Sequence, residues 1–216
     1  MLKSRSFLLA LAAITISFLT GIADAQDSDI RVGVGVSIDP PRLFMTGGSN
    51  VYSNVLTPVN IYVPIGFSHV RIEPEIGMYS YSNQSTLTGT TGEQNLSIVH
   101  AGVGGFYLIS MDSQARLYVG PRVGLNFISS KFSSSGPSGT FSSETSETDV
   151  VVGVNIGGEY LLSSHFSVGG EAQLNYLSFG KQDNTVSPAP VFTNPSPDES
   201  RHLISTNVLF FFRWFF

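Results

Sequence analysis

Long runs that alternate with a period of two constrain this chain more than any other feature. In DVVVGVNIGGEYL (149–161), Val150, Val152, Val154, Ile156 and Tyr160 fall on one face of an extended segment, and Val151, Gly153, Asn155, Gly157 and Glu159 fall on the other. FSVGGEAQLNYL (166–177) sets Phe166, Val168, Ala172, Leu174 and Tyr176 against Ser167, Gly169, Glu171, Gln173 and Asn175. RLYVGPRVGLNF (116–127) sets Leu117, Val119, Val123, Leu125 and Phe127 against Tyr118, Gly120, Arg122, Gly124 and Asn126. Successive side chains of a strand point to opposite faces, so each run has an apolar face and a face of glycine, amide and charge. Soluble strands are mostly five or six residues long, whereas roughly 9–11 are needed to cross a bilayer at a tilt.

Eight such runs are predicted, near 30–38, 58–67, 70–82, 95–109, 116–130, 149–163, 166–181 and 201–216. The connections alternate in length. Ser68-His69, Ser110 to Ala115 and Ser163 to His165 are tight, while 39–57, 83–94, 131–148 and 182–200 are long and polar. An even strand count, short turns at one end and long loops at the other is the layout of a transmembrane β-barrel. A soluble sandwich or lipocalin-like barrel would also alternate, but it would have to turn these charges and glycines outward.

The first residues, MLKSRSFLLALAAITISFLTGIADA, read as a signal peptide over 1–25. Lys3 and Arg5 form the basic region, Phe7 to Leu19 the apolar region, and Ala23-Asp24-Ala25 the cleavage site. The apolar run falls short of the roughly 20 residues of a spanning helix. Removal of that segment leaves one domain, 26–216, with nine Lys and Arg against fifteen Asp and Glu. The balance is acidic and no basic run is present, so no nucleic-acid partner is expected. With no cysteine in the chain there is neither a disulfide framework nor a thiolate metal site, nor a lipid-anchored N-terminal cysteine.

The closing segment, LFFFRWFF (209–216), places an arginine among six aromatics. Parity puts Ile204, Thr206, Val208, Phe210, Phe212, Trp214 and Phe216 towards lipid and Arg213 towards the lumen. Trp214 and Phe216 then fall at the membrane–water boundary, where amphipathic rings settle. The same parity turns Arg71, Glu73, Glu75, Arg122, Glu159, Glu171 and Arg213 inward. These seven form a candidate lumen charge network, because eight strands enclose a space that side chains fill. Buried charges must pair, so the network reads as a plug rather than a wide pore.

The chain resembles the eight-stranded outer-membrane barrels related to the OmpA transmembrane domain and OmpX. The resemblance is carried by VPIGFSHVRIEPEIGMYSY (63–81), LYVGPRVGLNF (117–127), GEY (158–160), GGEAQLNY (169–176) and the terminal Phe216. It implies an all-β, up-and-down transmembrane barrel in the outer membrane of a Gram-negative-type bacterium, a monomer in contact with outer-membrane lipids and lipopolysaccharide. It also implies handling by periplasmic chaperones and the barrel-assembly machinery, with Phe212, Trp214 and Phe216 as the C-terminal assembly signal. The chain ends with the eighth run, so the periplasmic peptidoglycan-binding domain of full-length OmpA-type proteins is not expected.

Some eight-stranded barrels modify lipid A, which makes the histidines worth testing. An acyl hydrolase needs His, Ser and an acid converging at the outer rim, and His202, Ser205 and Glu199 are the one neighbouring set. Proximity along one strand does not make a triad, and His69, His100 and His165 have no such neighbours; no catalytic residue is expected. GVGVS (33–37) and GVGGF (102–106) echo phosphate loops, but each lies inside a strand with no helix following. No cofactor or metal is expected. The function expected is that of a non-enzymatic outer-membrane barrel with surface loops, contributing envelope integrity or surface interaction. A narrow charged channel is the alternative, and a lipid A-modifying enzyme the more remote one.

Overall fold

A computed structural model describes residues 30–40, 57–87, 89–137, 139–188 and 201–216. Among them lie ten strands: β1 (Ile30–Ile38), β2 (Val59–Tyr62), β3 (Ile65–Phe67), β4 (Val70–Leu87), β5 (Thr90–Ser110), β6 (Ala115–Gly136), β7 (Gly139–Leu161), β8 (Phe166–Ser178), β9 (Asp183–Ser187) and β10 (His202–Phe215). All pairings are antiparallel between neighbours, and β10 returns to β1 over Gly33↔Phe215 to Ile38↔Phe210, so the sheet closes into a ring. The ring has eight staves. The second is split: β2 and β3 both pair with β1 and with β4, and Val63-Pro64 interrupts them. Pro64 has no N–H to give the ladder, which is why the expected strand 58–67 is two pieces. A short further piece of ladder, β9, extends the stave of β8 along β7 at Ser142 to Ser146. Closure leaves the spanning part without the free edge that a row of unpaired N–H and C=O groups would make.

Burial is inverted relative to a soluble domain. On β7, Val154 is 60% exposed while its neighbour Asn155 is fully buried. On β10, Val208, Phe210, Phe212 and Trp214 are exposed, whereas Leu209, Phe211 and Arg213 are buried. Such an arrangement suits a solvent of lipid outside and a polar interior. Aromatic side chains mark both ends of the exposed band: Tyr107, Tyr160, Trp214 and Phe216 at the end with short turns, Phe127 and Tyr176 at the other.

The expected long loops 83–94 and 131–148 are instead mostly strand. β4 and β5 stay paired to Leu87↔Thr90, and β6 and β7 to Gly136↔Gly139. Gly89 and Gly139, at φ +78 and +122, turn these two hairpins, a conformation that glycine adopts without a Cβ penalty. The sheet therefore rises past the bilayer, and its polarity reverses as it does. The registers align Met78, Val99, Phe127 and Thr148 as the last mostly apolar row on the outer face. The next row up is Ser80, Ser97, Ser129, Ser146 and Asp183, and the row after it Ser82, Asn95, Lys131, Glu144 and Thr185. On the inner face the same step turns apolar, with Ile98 and Leu96 buried and Phe132 against Phe141 at 6.3 Å between ring centroids.

At the opposite end the connections are tight. Ser68, at φ +51, takes the left-handed conformation in the turn between β3 and β4. In the turn between β5 and β6, Asp112 Oδ1 accepts the N–H groups of Gln114 at 2.7 Å and Ala115 at 2.5 Å, and those two bonds hold its carboxyl below the usual aspartate range. Short turns of this kind face the periplasm in outer-membrane barrels.

Candidate functional site

The inward faces of the staves converge, towards the end with short turns, on the charged residues singled out by parity. β4 supplies three of them, Arg71, Glu73 and Glu75, at alternate positions of one strand. Arg71 Nε lies 2.6 Å from Glu73 Oε1, and its Nη1 donates to Glu159 Oε2 at 2.6 Å. Arg213 enters from β10, with Nη1 2.6 Å from the same Glu159 oxygen and Nη2 2.9 Å from Glu73 Oε1. Arg122 enters from β6, pairs with Glu75 through Nη1, and places Nη2 3.2 Å from Glu171 Oε1 and 3.6 Å from Glu73 Oε2. All seven residues thus lie in one connected set, three arginines facing four glutamates. Arg71, Glu73, Glu159, Glu171 and Arg213 are each at most 3% exposed. Taking such charges out of water costs several kcal/mol per ion, which only close pairing offsets.

Aromatic and amide side chains outside the seven expected charges complete the set. Tyr118 donates its hydroxyl to Glu171 Oε2 at 2.8 Å, and Gln173 donates to Glu171 Oε1 at 2.6 Å. His100 faces Glu75 through Nε2 at 3.2 Å and Asn126 Oδ1 through Nδ1 at 2.7 Å. The Arg213 guanidinium stacks 3.7 Å from the Phe211 ring centroid, and that of Arg71 lies 4.7 Å from Tyr118. Tyr62, Phe106, Leu108, Tyr118 and Phe211 form one buried cluster around these cations. The signal for them was present in the alternation: each shares the inward parity of its stave.

Glycine makes the room. Tyr62 lies across Gly35 and Tyr118 across Gly157 on the neighbouring strand, while Phe211 lies across Gly169 in the same way. A Cβ at any of the three would collide with the ring, so large and missing side chains alternate around the lumen. Above the charge cluster lies a cavity of about 30 Å³, bordered by Asn60, Glu75, His100, Arg122, Gln173 and Asn207. That is room for a few waters at most. Higher still, Val151 and Leu177 close an inward apolar layer with Ile128, Phe179 and Leu203.

The candidate hydrolase set does not assemble. His202 is exposed and stacks on Tyr176 at 5.9 Å, while the hydroxyl of Ser205, three residues along the same strand, points to the other face and is buried. Glu199 lies outside the described residues, as does the segment 1–25 in which a signal peptide is expected. Phe212, Trp214 and Phe216 lie together on the lipid face at the periplasmic end, where Phe166 packs 6.5 Å from Phe212 and 6.1 Å from Trp214.

A family model described as "Outer membrane protein beta-barrel domain" matches residues 7–191. Among solved structures, CarO of Acinetobacter baumannii aligns at 10% identity over 86% of this chain and 98% of that one, with a TM-score of 0.45. Ail, the attachment invasion locus protein of Yersinia pestis, aligns at 12% identity over 86% and 95%, with a TM-score of 0.40. A major outer membrane protein of Thermus thermophilus aligns at 10% identity over 86% and 99%, with a TM-score of 0.43. A search of the curated proteins finds no match.

Proposed function

The chain belongs to the outer membrane protein beta-barrel domain family, and we propose that within the outer membrane it is a sealed, non-enzymatic barrel whose work is done at its ends. One observation carries this reading: the seven inward charges form one connected, buried set across the lumen, and the cavity directly above them holds about 30 Å³. An ion would have to break several buried pairs to pass, each worth about 3–5 kcal/mol when one partner is lost. The barrel wall serves as an anchor in contact with outer-membrane lipids and lipopolysaccharide. The two long hairpins form a stiff, hydroxyl-rich sheet above the surface, suited to envelope integrity or to contact with other molecules. Phe212, Trp214 and Phe216, on the lipid face at the periplasmic end, are suited to recognition by periplasmic chaperones and the barrel-assembly machinery.

Planar-bilayer recording on the purified protein tests the seal. No stepwise conductance is expected at moderate voltage, and reproducible unitary openings would overturn the reading in favour of a narrow channel. Mass analysis of lipid A from cells with and without the protein tests the non-enzymatic part, since a change in acyl count would sink it.

A further inference from the structure

Below the charge cluster the periplasmic mouth of the barrel holds a second, larger cavity of about 270 Å³. Its walls include Arg31, Ser68, Arg71, Leu108, Arg116 and Phe215, three arginines and no carboxylate. The registers explain how the cations gather. Arg31 on β1 and Arg71 on β4 are both opposite Gly66 of β3, which has no side chain to fill the space between them. Arg116 on β6 is opposite Glu159 of β7, whose Oε2 is already engaged by Arg71 and Arg213. Among the described residues no carboxylate forms an ion pair with Arg31 or Arg116. Arg71, 2% exposed, forms part of the roof of the cavity and is held there by Glu73 and Glu159. A cavity bordered by three arginines and lined by no carboxylate, with Arg31 and Arg116 outside every ion pair among the described residues, is arranged to take an acceptor from outside the chain.

We propose that this mouth is a binding site for a small oxyanion, a phosphate or a carboxylate on a short body. Arg31, Arg116 and the Ser68 hydroxyl would engage the oxygens, Arg71 would add its charge from the roof, and Leu108 and Phe215 would pack against the apolar remainder. Arginine suits the task because its planar fork meets carboxylate and phosphate oxygens two at a time. The charge cluster above closes the cavity, so the ligand enters and leaves by the periplasm. The site acts as a receptor pocket and not as a stage in transport.

The test is calorimetric titration of the detergent-purified barrel with inorganic phosphate and, separately, with succinate, at constant ionic strength held by chloride. Saturable one-to-one binding of either supports the site, and the preferred probe identifies the headgroup. Arg31→Gln with Arg116→Gln should weaken that binding about tenfold or more, as loss of hydrogen bonds to a charged group implies, with heat-modifiable gel mobility confirming the fold. Ser68→Asp, which sets a carboxylate at the rim and leaves every arginine in place, should weaken it as well, and provides the result if the double variant fails to fold. Arg201→Gln, at the opposite end of the barrel, should leave it unchanged. Absence of saturable binding by both probes at millimolar concentration, or binding that survives the variants, overturns the proposal.

Discussion

Replacing Arg213 with methionine tests the central claim about the lumen. Methionine keeps most of the side-chain volume and can still lie against Phe211, so packing changes little and charge changes fully. The guanidinium lies 2.6 Å from Glu159 Oε2 and 2.9 Å from Glu73 Oε1, and its side chain is 1% exposed. Without it, Arg71 alone holds Glu159 and shares Glu73 only with the longer 3.6 Å contact of Arg122, and two arginines face four glutamates in a space that water barely enters. Removing one partner of a buried ion pair costs about 3–5 kcal/mol, and that is the loss expected here. Urea unfolding in micelles, read from the unboiled gel mobility, measures it. A second substitution separates charge from shape: Glu159→Gln in the Arg213→Met background lowers the excess of acid, so the double variant should be more stable than the two single losses summed. A coupling of about 1–3 kcal/mol is expected for groups in direct contact. Stability of Arg213→Met within about 1 kcal/mol of the parent, or strict additivity in the cycle, would refute the view that paired charge, rather than mere filling, stabilises the lumen.

Other positions give simpler tests. Gly157→Val pushes against the Tyr118 ring and should cost about 1–3 kcal/mol, typical of overpacking, whereas Gly105→Ala, whose new methyl group would meet nothing within 4 Å, should fall within about 0.5 kcal/mol of the parent in the same urea assay. Phe216→Ala should reduce assembly in cells while leaving refolding into detergent intact; equal loss in both would remove the case for an assembly signal. Shortening the β6–β7 hairpin by joining Lys131 to Glu144 through a two-residue turn removes the Phe132–Phe141 contact but no member of the charge cluster, and the variant should keep its heat-modifiable mobility. The Asp112 carboxylate, whose folded pKa is depressed, should protect the Ala115 amide from hydrogen exchange at neutral pH and cease to do so as the pH falls below the ordinary aspartate range, an effect that Asp112→Asn should abolish.

How much of this was legible in the sequence depended on how sharply the two faces of each strand differ. Within the bilayer the contrast is large: Val154 beside Asn155, or Phe212 beside Arg213, assigns itself, and the inward set followed from counting by twos. Above the bilayer the backbone continues unchanged from Ser80 to Leu87 and from Ser129 to Gly136, but the outer face now meets water. Both faces then carry hydroxyls and amides, so period two leaves no mark in hydropathy, and a hairpin looks like a loop. The faint signal that remained was inverted, with Leu96, Phe132 and Phe141 on the face that lower down holds Glu75, Arg122 and Glu159. The mouth site was hidden for a different reason. Arg31, Arg71 and Arg116 are far apart in sequence, and parity makes each inward without saying at what height. Height is set by stagger between staves, here by the register of β3 against β1 and β4 and by the β10–β1 register that closes the ring. A single strand's pattern reports which way a side chain points, and only the closed ring decides which side chains meet.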